Sequence, residues 1–442
     1  MSKLFVISFE GLNMDLLENW CESGRLPHFK YVQSKGHLGE IACSNVPYEA
    51  SGLLSAFSGM DDFEHGVMSY WKAHNPDYVP QVWKSGEIED HMIWRKALSR
   101  DNRVGVVNIF GTHPPRELNS ALVSYAMERT LRYTYPANLL RSLSEKGLPY
   151  VQDMGAFYKG QGKNEFLSEV LRTEGMRHLL SMKLYEKALD VYFVNYTCID
   201  RVSHFYMKEL KDDSVRLEDK IIFQMYRYCD SVLGDVLKFA GRHHSDLLIF
   251  SSVGFGHLEH FVEINPMLRN ENLLSYDKDG RRLDWKRTIA FESVQGSHGI
   301  NINRAGRYVH GIVKDSEFIS TRRHVMETLG RMINPYNGNP LFSSVFPGED
   351  RYRNGDMVPD IIIEPYDWGY LPYGDNYWAD IVSRHAQTGW HRAKSVWGGL
   401  GPNISRKIDG NVRPHLANIA PTINQLLGVT EEACGKYGSL CR

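Results

Sequence analysis

Short apolar runs alternate with helical patterns along most of this chain. Three of the runs, Leu4–Phe9, Val191–Tyr196 and Asp246–Phe250, consist mainly of β-branched, aliphatic and aromatic residues. Such runs are typical of strands that are buried on both faces of a parallel sheet. Because helical segments separate them, the pattern predicts an α/β fold, with a doubly wound, mostly parallel sheet flanked by helices.

The alternation is regular at both ends of the chain and loosens between residues 257 and 374. That middle segment is dense in aromatic residues, Asn, Pro and Gly. Its aromatic content argues against intrinsic disorder, because such side chains can build a core. We therefore predict an α/β core of residues 1–256 and 375–442, with residues 257–374 forming a lid-like insertion folded onto it.

Length, charge and cysteine content exclude several classes of function. A chain of 442 residues is long enough for a large α/β enzyme. Its net charge of −2 argues against a protein that binds nucleic acid by neutralising phosphates. The six cysteines include no C-x-x-C pair, which excludes a zinc ribbon and a redox motif. The apolar runs are too short for a signal peptide or a membrane span. The sequence thus predicts a cytoplasmic protein with neither nucleic-acid nor membrane partners.

A carboxylate and an imidazole follow one of the predicted strands. Asp200 comes just after the run Val191–Tyr196, and His204 follows it by four residues. If a helix begins where the strand ends, residues four apart lie on one helix face and can converge on a divalent metal. The alternative is an Asp that caps the helix and a His in solvent. The spacing by itself leaves both interpretations open.

Several short motifs occur in the order found in a known enzyme family. The chain resembles the type I phosphodiesterase/nucleotide pyrophosphatase family of the alkaline phosphatase superfamily over nearly its whole length. The motifs are, in order, VISFEGLNMDLL, SGMDDFEHGV, NIFGTHPP, IDRVSHF, SSVGFG, TGWHR and IAPTINQLLGV. The collinear set is specific although no single motif is. The resemblance implies an alkaline phosphatase-like fold and hydrolase activity.

The resemblance also implies a two-metal centre, usually of zinc. One metal of that centre is held by an Asp and a His four residues apart and by a His near the C-terminus. The matching residues here are Asp200, His204 and His391. Two histidines and one carboxylate can hold zinc or ferrous iron and leave positions open. We expect one divalent transition metal, with zinc as the first choice and iron as the alternative.

The second metal position departs from the family. Glu10 stands where the family has an Asp, and Ser252 and Val253 stand where it has an Asp and a His. We therefore interpret Glu10 and Ser252 as remnants of a second site. His257 and His260 follow the altered motif. They could replace the lost ligands or be ordinary loop histidines in water.

Glu49 occupies the position of the family's nucleophilic Thr or Ser. A carboxylate has no hydroxyl with which to form a phosphoenzyme, and Ser51 is the alternative as a displaced nucleophile. Glu49 precedes an apolar helical segment, and the N-terminus of a helix favours an anion and lowers its pKa. We predict that Glu49 is catalytic, either as a further metal ligand or as a general base for activated water.

Basic residues flank His391 on both sides. Arg384, His385 and Arg392 could bind an anionic or polar small-molecule substrate, with Lys394 adding charge. The alternative is a solvated basic rim.

Three functions remain compatible with these residues. The first is a metal-dependent hydrolase that uses activated water instead of a covalent intermediate. The second is a mononuclear iron enzyme, because two histidines and one carboxylate also form the facial triad. The third is a non-catalytic binding protein that keeps the fold. The presence of all three ligands of the first site argues against the third function, and of the three we favour the hydrolase.

Overall fold

The computed structural model describes residues 4–96, 102–128, 130–145, 147, 150–153, 157–186, 189–374, 386–404, 413–429 and 437–441. These residues form two compact units. The first comprises Met1–Asp61, Lys84–Gly256 and Gln387–Arg442, and the second comprises Asp62–Trp83 and His257–Ala386. Residues 62–83, which we assigned to the core from sequence, thus group with the second unit. That the second unit serves as a lid stays a prediction.

The strands are numbered along the whole chain. They are β1 (Leu4–Phe9), β2 (His37–Ala42), β3 (Val104–Val107), β4 (Ser120–Val123), β5 (Thr134–Tyr135), β6 (Val191–Tyr196), β7 (Asp246–Phe250), β8 (Gly254–His257), β9 (His260–Glu263), β10 (Ala290–Glu292), β11 (Gly299–Ile302), β12 (Phe342–Pro347), β13 (Ile361–Pro365), β14 (Tyr370–Tyr373), β15 (Gly389–Arg392) and β16 (Lys394–Leu400).

The helices are numbered in the same way. They are α1 (Met14–Glu22), α2 (Pro27–Lys35), α3 (Glu49–Ser58), α4 (Asp62–His65), α5 (Ser85–Ile88), α6 (Ile93–Lys96), α7 (Leu139–Ser144), α8 (Lys163–Tyr185), α9 (Cys198–Tyr206), α10 (Ile221–Arg242), α11 (Ile264–Asn270), α12 (Asp315–Leu329) and α13 (Ile419–Leu427). In the part of the chain that the structure describes, none of them is both long and apolar enough to cross a membrane.

The first unit is built on an eight-stranded sheet of order β2-β16-β7-β1-β6-β3-β4-β5. Its central strands, from β7 to β4, are all parallel. The outer pairs β2–β16, β16–β7 and β4–β5 are antiparallel. The α/β fold class is therefore confirmed, as a mixed sheet with a parallel centre and antiparallel edges.

Both faces of the central strands are covered, as their continuous apolar character predicts. Tyr192 and Val194 of β6 belong to the apolar cluster formed with helices α1, α2, α8 and α10. Phe193, between them, points to the other face and packs against Phe57 of α3 at 5.4 Å between ring centroids. This alternation is the pleat of a strand that is buried on both sides.

The central strands end together at one edge of the sheet. Phe9 of β1 pairs with Tyr196 of β6, and Ser8 of β1 pairs with Phe250 of β7. The segments that follow β1, β6 and β7 therefore begin beside one another. In α/β sheets this carboxyl-terminal edge is where ligand sites lie.

The second unit has its own sheet and core. Its four strands are ordered β10-β11-β13-β12 and pair antiparallel. Helices α11 and α12 supply Ile264, Leu268, Val325 and Leu329 to the apolar cluster of this unit. A separate parallel pair joins β9 to β14.

Candidate metal centre

Asp200 and His204 lie where strand β6 gives way to helix α9. The strand ends at Tyr196 and the helix begins at Cys198, so both side chains fall in the first turns of the helix and share one face. The Asp200 carboxylate is fully buried, and its Oδ1 lies 3.6 Å from Nε2 of His204. The helix expected from the spacing is present.

His391 reaches the same point from strand β15. Its Nε2 lies 3.0 Å from Oδ1 of Asp200. The approach depends on Gly389, because a Cβ there would lie 2.3 Å from the carbonyl oxygen of Ser203 in α9. One ligand atom from each of Asp200, His204 and His391 lies within 4.8 Å of the others, and all three residues are buried.

The loop after β1 is held close to the start of α9. Gly11 has a φ of +86°, in the left-handed region, and a Cβ there would lie 2.9 Å from the backbone nitrogen of Asp200. That nitrogen donates a hydrogen bond to the carbonyl of Glu10 at 3.1 Å. A residue without a side chain is therefore needed at position 11 for the close contact with Asp200.

Glu49 lies beside the three residues. It is the first residue of α3 and is 2% exposed. Its Oε2 is 3.4 Å from Nε2 of His391. The preceding residue, Tyr48, packs its ring edge-on against the His391 ring at 5.3 Å. The structure thus brings together Glu49 and the three predicted ligands.

Glu10 and Ser252 are also buried at the ends of the central strands. Oε1 of Glu10 accepts a hydrogen bond from the Asn195 amide at 2.6 Å. Burial, followed by repulsion from Asp200 and Glu49, raises the pKa of Glu10 well above its usual value. Ser252 is fully buried, and its hydroxyl has no hydrogen-bond partner among the described residues.

The surroundings of the three predicted ligands set their charge. Burial opposes ionisation of Asp200, but His204, His391 and Arg201 outweigh it and hold its pKa below the usual value. Burial lowers the pKa of His204 to about 3. Burial would also lower the pKa of His391, but Glu49 and Asp200 outweigh it and raise it. Asp200 is therefore held as a carboxylate and His204 as a neutral imidazole, the forms in which these side chains bind metals.

The spacing of the donor atoms suits a small divalent cation. A tetrahedral zinc ion bound at about 2.0–2.1 Å keeps its ligand atoms about 3.4 Å apart. Asp200 Oδ1 lies 3.0 Å from His391 Nε2 and 3.6 Å from His204 Nε2, and the carboxylate of Glu49 lies 3.4 Å from His391. Three of the separations among the nitrogen and oxygen donors are thus close to the value that a small divalent cation requires.

The predicted substrate-binding residues are only partly described. Arg392 donates Nη1 to the backbone carbonyls of Trp390 and His391, at 3.0 and 2.9 Å, and so braces the strand that carries His391. Lys394 is exposed. Arg384 and His385 lie outside the described residues. A role for these residues in binding substrate stays a prediction.

Three further candidates have partners of their own. The Ser51 hydroxyl lies 2.8 Å from the Ser44 hydroxyl, and both residues are fully buried. In the second unit, His257 pairs with Glu259 at 2.8 Å. His260 stacks on an exposed tyrosine, Tyr336, at 4.3 Å between ring centroids.

Sequence reasoning missed the residues behind Asp200. Arg201 donates Nη1 to Oδ2 of Asp200 at 2.9 Å and Nη2 to Oδ2 of Asp153 at 2.7 Å. Burial would raise the pKa of Asp153, but Arg201 and Arg177 outweigh it and hold that pKa below its usual value. The position of Arg201, next to a predicted ligand, was a usable signal. Asp153 lies in no motif and gave none.

Comparison with solved structures identifies the fold. Murine ectonucleotide pyrophosphatase/phosphodiesterase 5 superposes with a TM-score of 0.59 at 14% identity, covering 99% of this chain and 98% of that one. Phosphonoacetate hydrolase from Sinorhizobium meliloti 1021 gives a TM-score of 0.60 at 12% identity, with 97% and 95% covered. Alkaline phosphatase PafA gives 0.55 at 13% identity, with 99% and 98% covered. The fold is thus that of the alkaline phosphatase superfamily.

The family follows from the sequence. The sequence model of the type I phosphodiesterase/nucleotide pyrophosphatase family matches residues 4–394. The chain therefore belongs to this family, as the motifs predicted. No curated protein matches the sequence. Family and fold are those of phosphodiesterase- and phosphatase-type hydrolases.

Proposed function

We propose that this protein is a hydrolase with a single divalent metal, zinc, that cleaves a small anionic ester by activated water. The proposal rests chiefly on the 3.4 Å separation between Oε2 of Glu49 and Nε2 of His391. A carboxylate, and not a hydroxyl, faces the candidate ligands at the position where the family carries its nucleophile. The chemistry of this carboxylate therefore decides the mechanism.

Glu49 cannot form the usual phosphoenzyme, but it can accept a proton. A buried carboxylate at the start of a helix is stabilised as an anion by the helix dipole. From that position Glu49 can take the proton of an attacking water molecule at Oε2, as a general base does. Ser51, the alternative nucleophile, faces Ser44 at hydrogen-bonding distance.

Asp200, His204 and His391 would hold the metal, and Glu49 would either complete the ligand set or act as the base. A zinc ion held there would act as a Lewis acid and bring the pKa of a water molecule close to neutrality. We expect a single metal because Ser252 and Val253 stand at two ligand positions of the family's second site. An aliphatic side chain offers no ligand atom, and a neutral hydroxyl is a poor one.

The family and the ligands of the solved neighbours support a proposal for the substrate class. Murine ectonucleotide pyrophosphatase/phosphodiesterase 5 has been solved in complex with AMP, and the phosphonoacetate hydrolase in complex with phosphonoacetate and with phosphonoformate. We extend this class, small phosphorus-containing anions, to the present chain. Arg392, with Arg384 and His385, remains the predicted source of positive charge.

A reduced, cytoplasmic location belongs to the same proposal. The cysteines that the structure describes are all buried, and none of them forms a disulfide: Cys21, Cys43, Cys198, Cys229 and Cys441. The sulfur atoms of Cys198 and Cys229 lie 3.4 Å apart as thiols. Thiols this close persist most readily in a reducing compartment.

The test is turnover of the zinc-loaded protein on phosphate monoesters, bis-aryl phosphate diesters and phosphonates. We expect turnover of a small anionic ester, its loss in Asp200→Ala, slow reaction with bis-aryl diesters and no covalent adduct in the intact mass. Glu49→Thr should not restore diesterase activity, because Ser252 and Val253 still leave the second metal without ligands.

Other outcomes point to the alternatives. A trapped phosphoenzyme would contradict the mechanism and implicate Ser51 or another group. Oxygen consumption by the ferrous protein would favour the mononuclear iron enzyme. A metal-loaded protein without any turnover would favour a binding protein that retains the fold.

A further inference from the structure

We infer that Arg201, held by Asp153, is a positioning residue that makes Asp200 bind the metal through one oxygen only. The inference rests on the proposed function, because it takes Asp200, His204 and His391 as the ligands. It adds a second layer of residues: Arg201 lies within the motif IDRVSHF but is not one of the ligands that the resemblance implies, and Asp153 lies in no motif.

The two oxygens of Asp200 have different partners. Oδ1 lies 3.0 Å from Nε2 of His391 and 3.6 Å from Nε2 of His204, so it faces the point where the imidazoles converge. Oδ2 lies 2.9 Å from Nη1 of Arg201. An oxygen that accepts a charged hydrogen bond is kept away from the metal, and the carboxylate is left to coordinate through Oδ1.

Arg201 is itself fixed on several sides. Its Nη2 donates to Oδ2 of Asp153 at 2.7 Å and to the hydroxyl of Tyr125 at 2.9 Å. Its guanidinium carbon lies 5.0 Å from the centre of the Phe157 ring. The side chain is 11% exposed. These contacts hold the planar guanidinium of Arg201 in one orientation, whereas a flexible lysine side chain would not be restricted in this way.

The support continues from Asp153 into the core. Oδ1 of Asp153 accepts from Nη2 of Arg177 at 2.7 Å and from the hydroxyl of Thr197 at 2.6 Å. The side chains of Arg177 and Asp153 are 0% and 2% exposed. Arg177 belongs to helix α8, and Thr197 lies between β6 and α9. A chain of buried ion pairs thus connects a core helix to the metal-facing carboxylate.

Arg201 can affect zinc binding by orienting Asp200 or by repelling the metal with its positive charge. The two explanations predict opposite changes in zinc affinity when Arg201 is replaced, so the inference is testable. Arg201 is a cation beside a site for a cation, so removing its charge should tighten zinc binding if charge alone matters. If Arg201 orients Asp200, removing it should weaken zinc binding by roughly 10–100-fold, as loss of other outer-shell partners does. The sign of the change therefore separates the two explanations.

The experiment measures the zinc dissociation constant by chelator competition and the visible spectrum of the cobalt-substituted protein. Arg201→Gln should weaken zinc binding by ~10–100-fold and alter the cobalt spectrum, which reports the ligand geometry. Arg201→Lys keeps the charge without the fork and should give a smaller loss. Arg177→Lys is the control, because Arg177 is also buried, reaches Asp200 only through Asp153 and Arg201, and keeps its positive charge in this variant. It should bind zinc within a few-fold of wild type.

The outcomes are distinguishable. Unchanged or tighter zinc binding in Arg201→Gln would overturn the inference and leave the proposed function standing. An equal loss in Arg177→Lys would also overturn it, because the effect would then be a general loss of order. A wild-type protein that binds no zinc would overturn both the inference and the proposed function. If Arg201→Gln does not fold, Tyr125→Phe, which removes one hydrogen bond to Arg201, should show a weaker loss of the same sign.

Discussion

Oε2 of Glu49 lies 3.4 Å from Nε2 of His391, with both side chains buried. The two residues come from the N-terminus of α3 and from strand β15, at opposite ends of the chain. The neighbouring residue Tyr48 adds an edge-on ring contact to His391, so two consecutive residues of this segment contact the imidazole. If His391 holds a metal, a carboxylate in this position lies beside that metal, so Glu49 is the most informative residue to change.

Glu49→Gln removes the charge and keeps the shape of the side chain. We expect turnover to fall by roughly 10²–10⁴-fold, because an amide cannot accept a proton as a carboxylate does. Zinc affinity then assigns the role: it should fall ~10–100-fold if Glu49 is a ligand and stay constant if Glu49 is the base.

Ser51→Ala is the control for Glu49→Gln and should leave the rate unchanged. The measurements are steady-state turnover and zinc content after dialysis. If Glu49→Gln keeps both the wild-type rate and the wild-type zinc content, Glu49 has no catalytic role and the non-catalytic function gains support.

Metal stoichiometry is the second prediction. Elemental analysis of the purified, zinc-reconstituted protein should give about one zinc per chain, because one group of potential ligands lies together among the described residues. Asp200→Ala and His391→Ala should retain much less. Two zinc ions per chain at full occupancy would mean that Glu10 and its neighbours still form a second site, and the mononuclear proposal would be wrong.

The core of the fold was predictable because its signal is local. Leu4–Phe9 and Asp246–Phe250 are strands at the predicted bounds, since a continuous apolar run between helices has few other stable arrangements. The antiparallel edges were not predictable. Strand β16 comes last in the chain yet lies between β7 and β2, and such pairing depends on contacts distant in sequence.

The residues of the candidate site also differ in how far they could be predicted from the sequence. Asp200 and His204 could be placed on one helix face from their spacing, because residues four apart on a helix must share a face. His391 and Glu49 could be found only from the family resemblance, since their approach depends on how β15 and α3 pack. Asp153, the partner of Arg201, could be found from neither, because a hydrogen bond between a loop and a helix leaves no periodic pattern in the sequence.

Gly389→Ala tests the packing that delivers His391. The added Cβ would lie 2.3 Å from the Ser203 carbonyl oxygen and 2.7 Å from the Phe255 ring, so β15 must move away from α9. We expect a loss of about 1–3 kcal/mol in the free energy of unfolding, together with weaker zinc binding, measured by urea denaturation and chelator competition.

The matched control for that variant is Gly175→Ala, in the middle of α8. A Cβ at position 175 meets nothing within 4 Å, so alanine should stabilise the helix by up to about 1 kcal/mol. Zinc binding should not change. If Gly389→Ala binds zinc as tightly as the control does, the close approach of β15 to α9 is not what places His391.

The last prediction concerns the contribution of His74 to the stability of the second unit at acid pH. Nδ1 of His74 lies 2.8 Å from the Tyr308 hydroxyl, and Nε2 lies 2.8 Å from the Val358 carbonyl. Burial, aided by the positive charge of Arg307, lowers the pKa of His74 from 6.5 to about 4. The folded protein therefore keeps this imidazole neutral at a pH where the unfolded chain protonates it.

Between pH 6.5 and about 4 the unfolded state thus binds more protons at this residue than the folded state does. The resulting contribution of His74 to the free energy of unfolding is complete above pH 6.5 and is lost as the pH falls toward 4. The total loss is about 3 kcal/mol, at roughly 1.4 kcal/mol per pH unit. His74→Gln should flatten the pH dependence of the urea midpoint in this window. His324→Gln, an exposed histidine of α12, should leave it as in wild type. Equal slopes in His74→Gln and wild type would show that other groups cause the acid sensitivity.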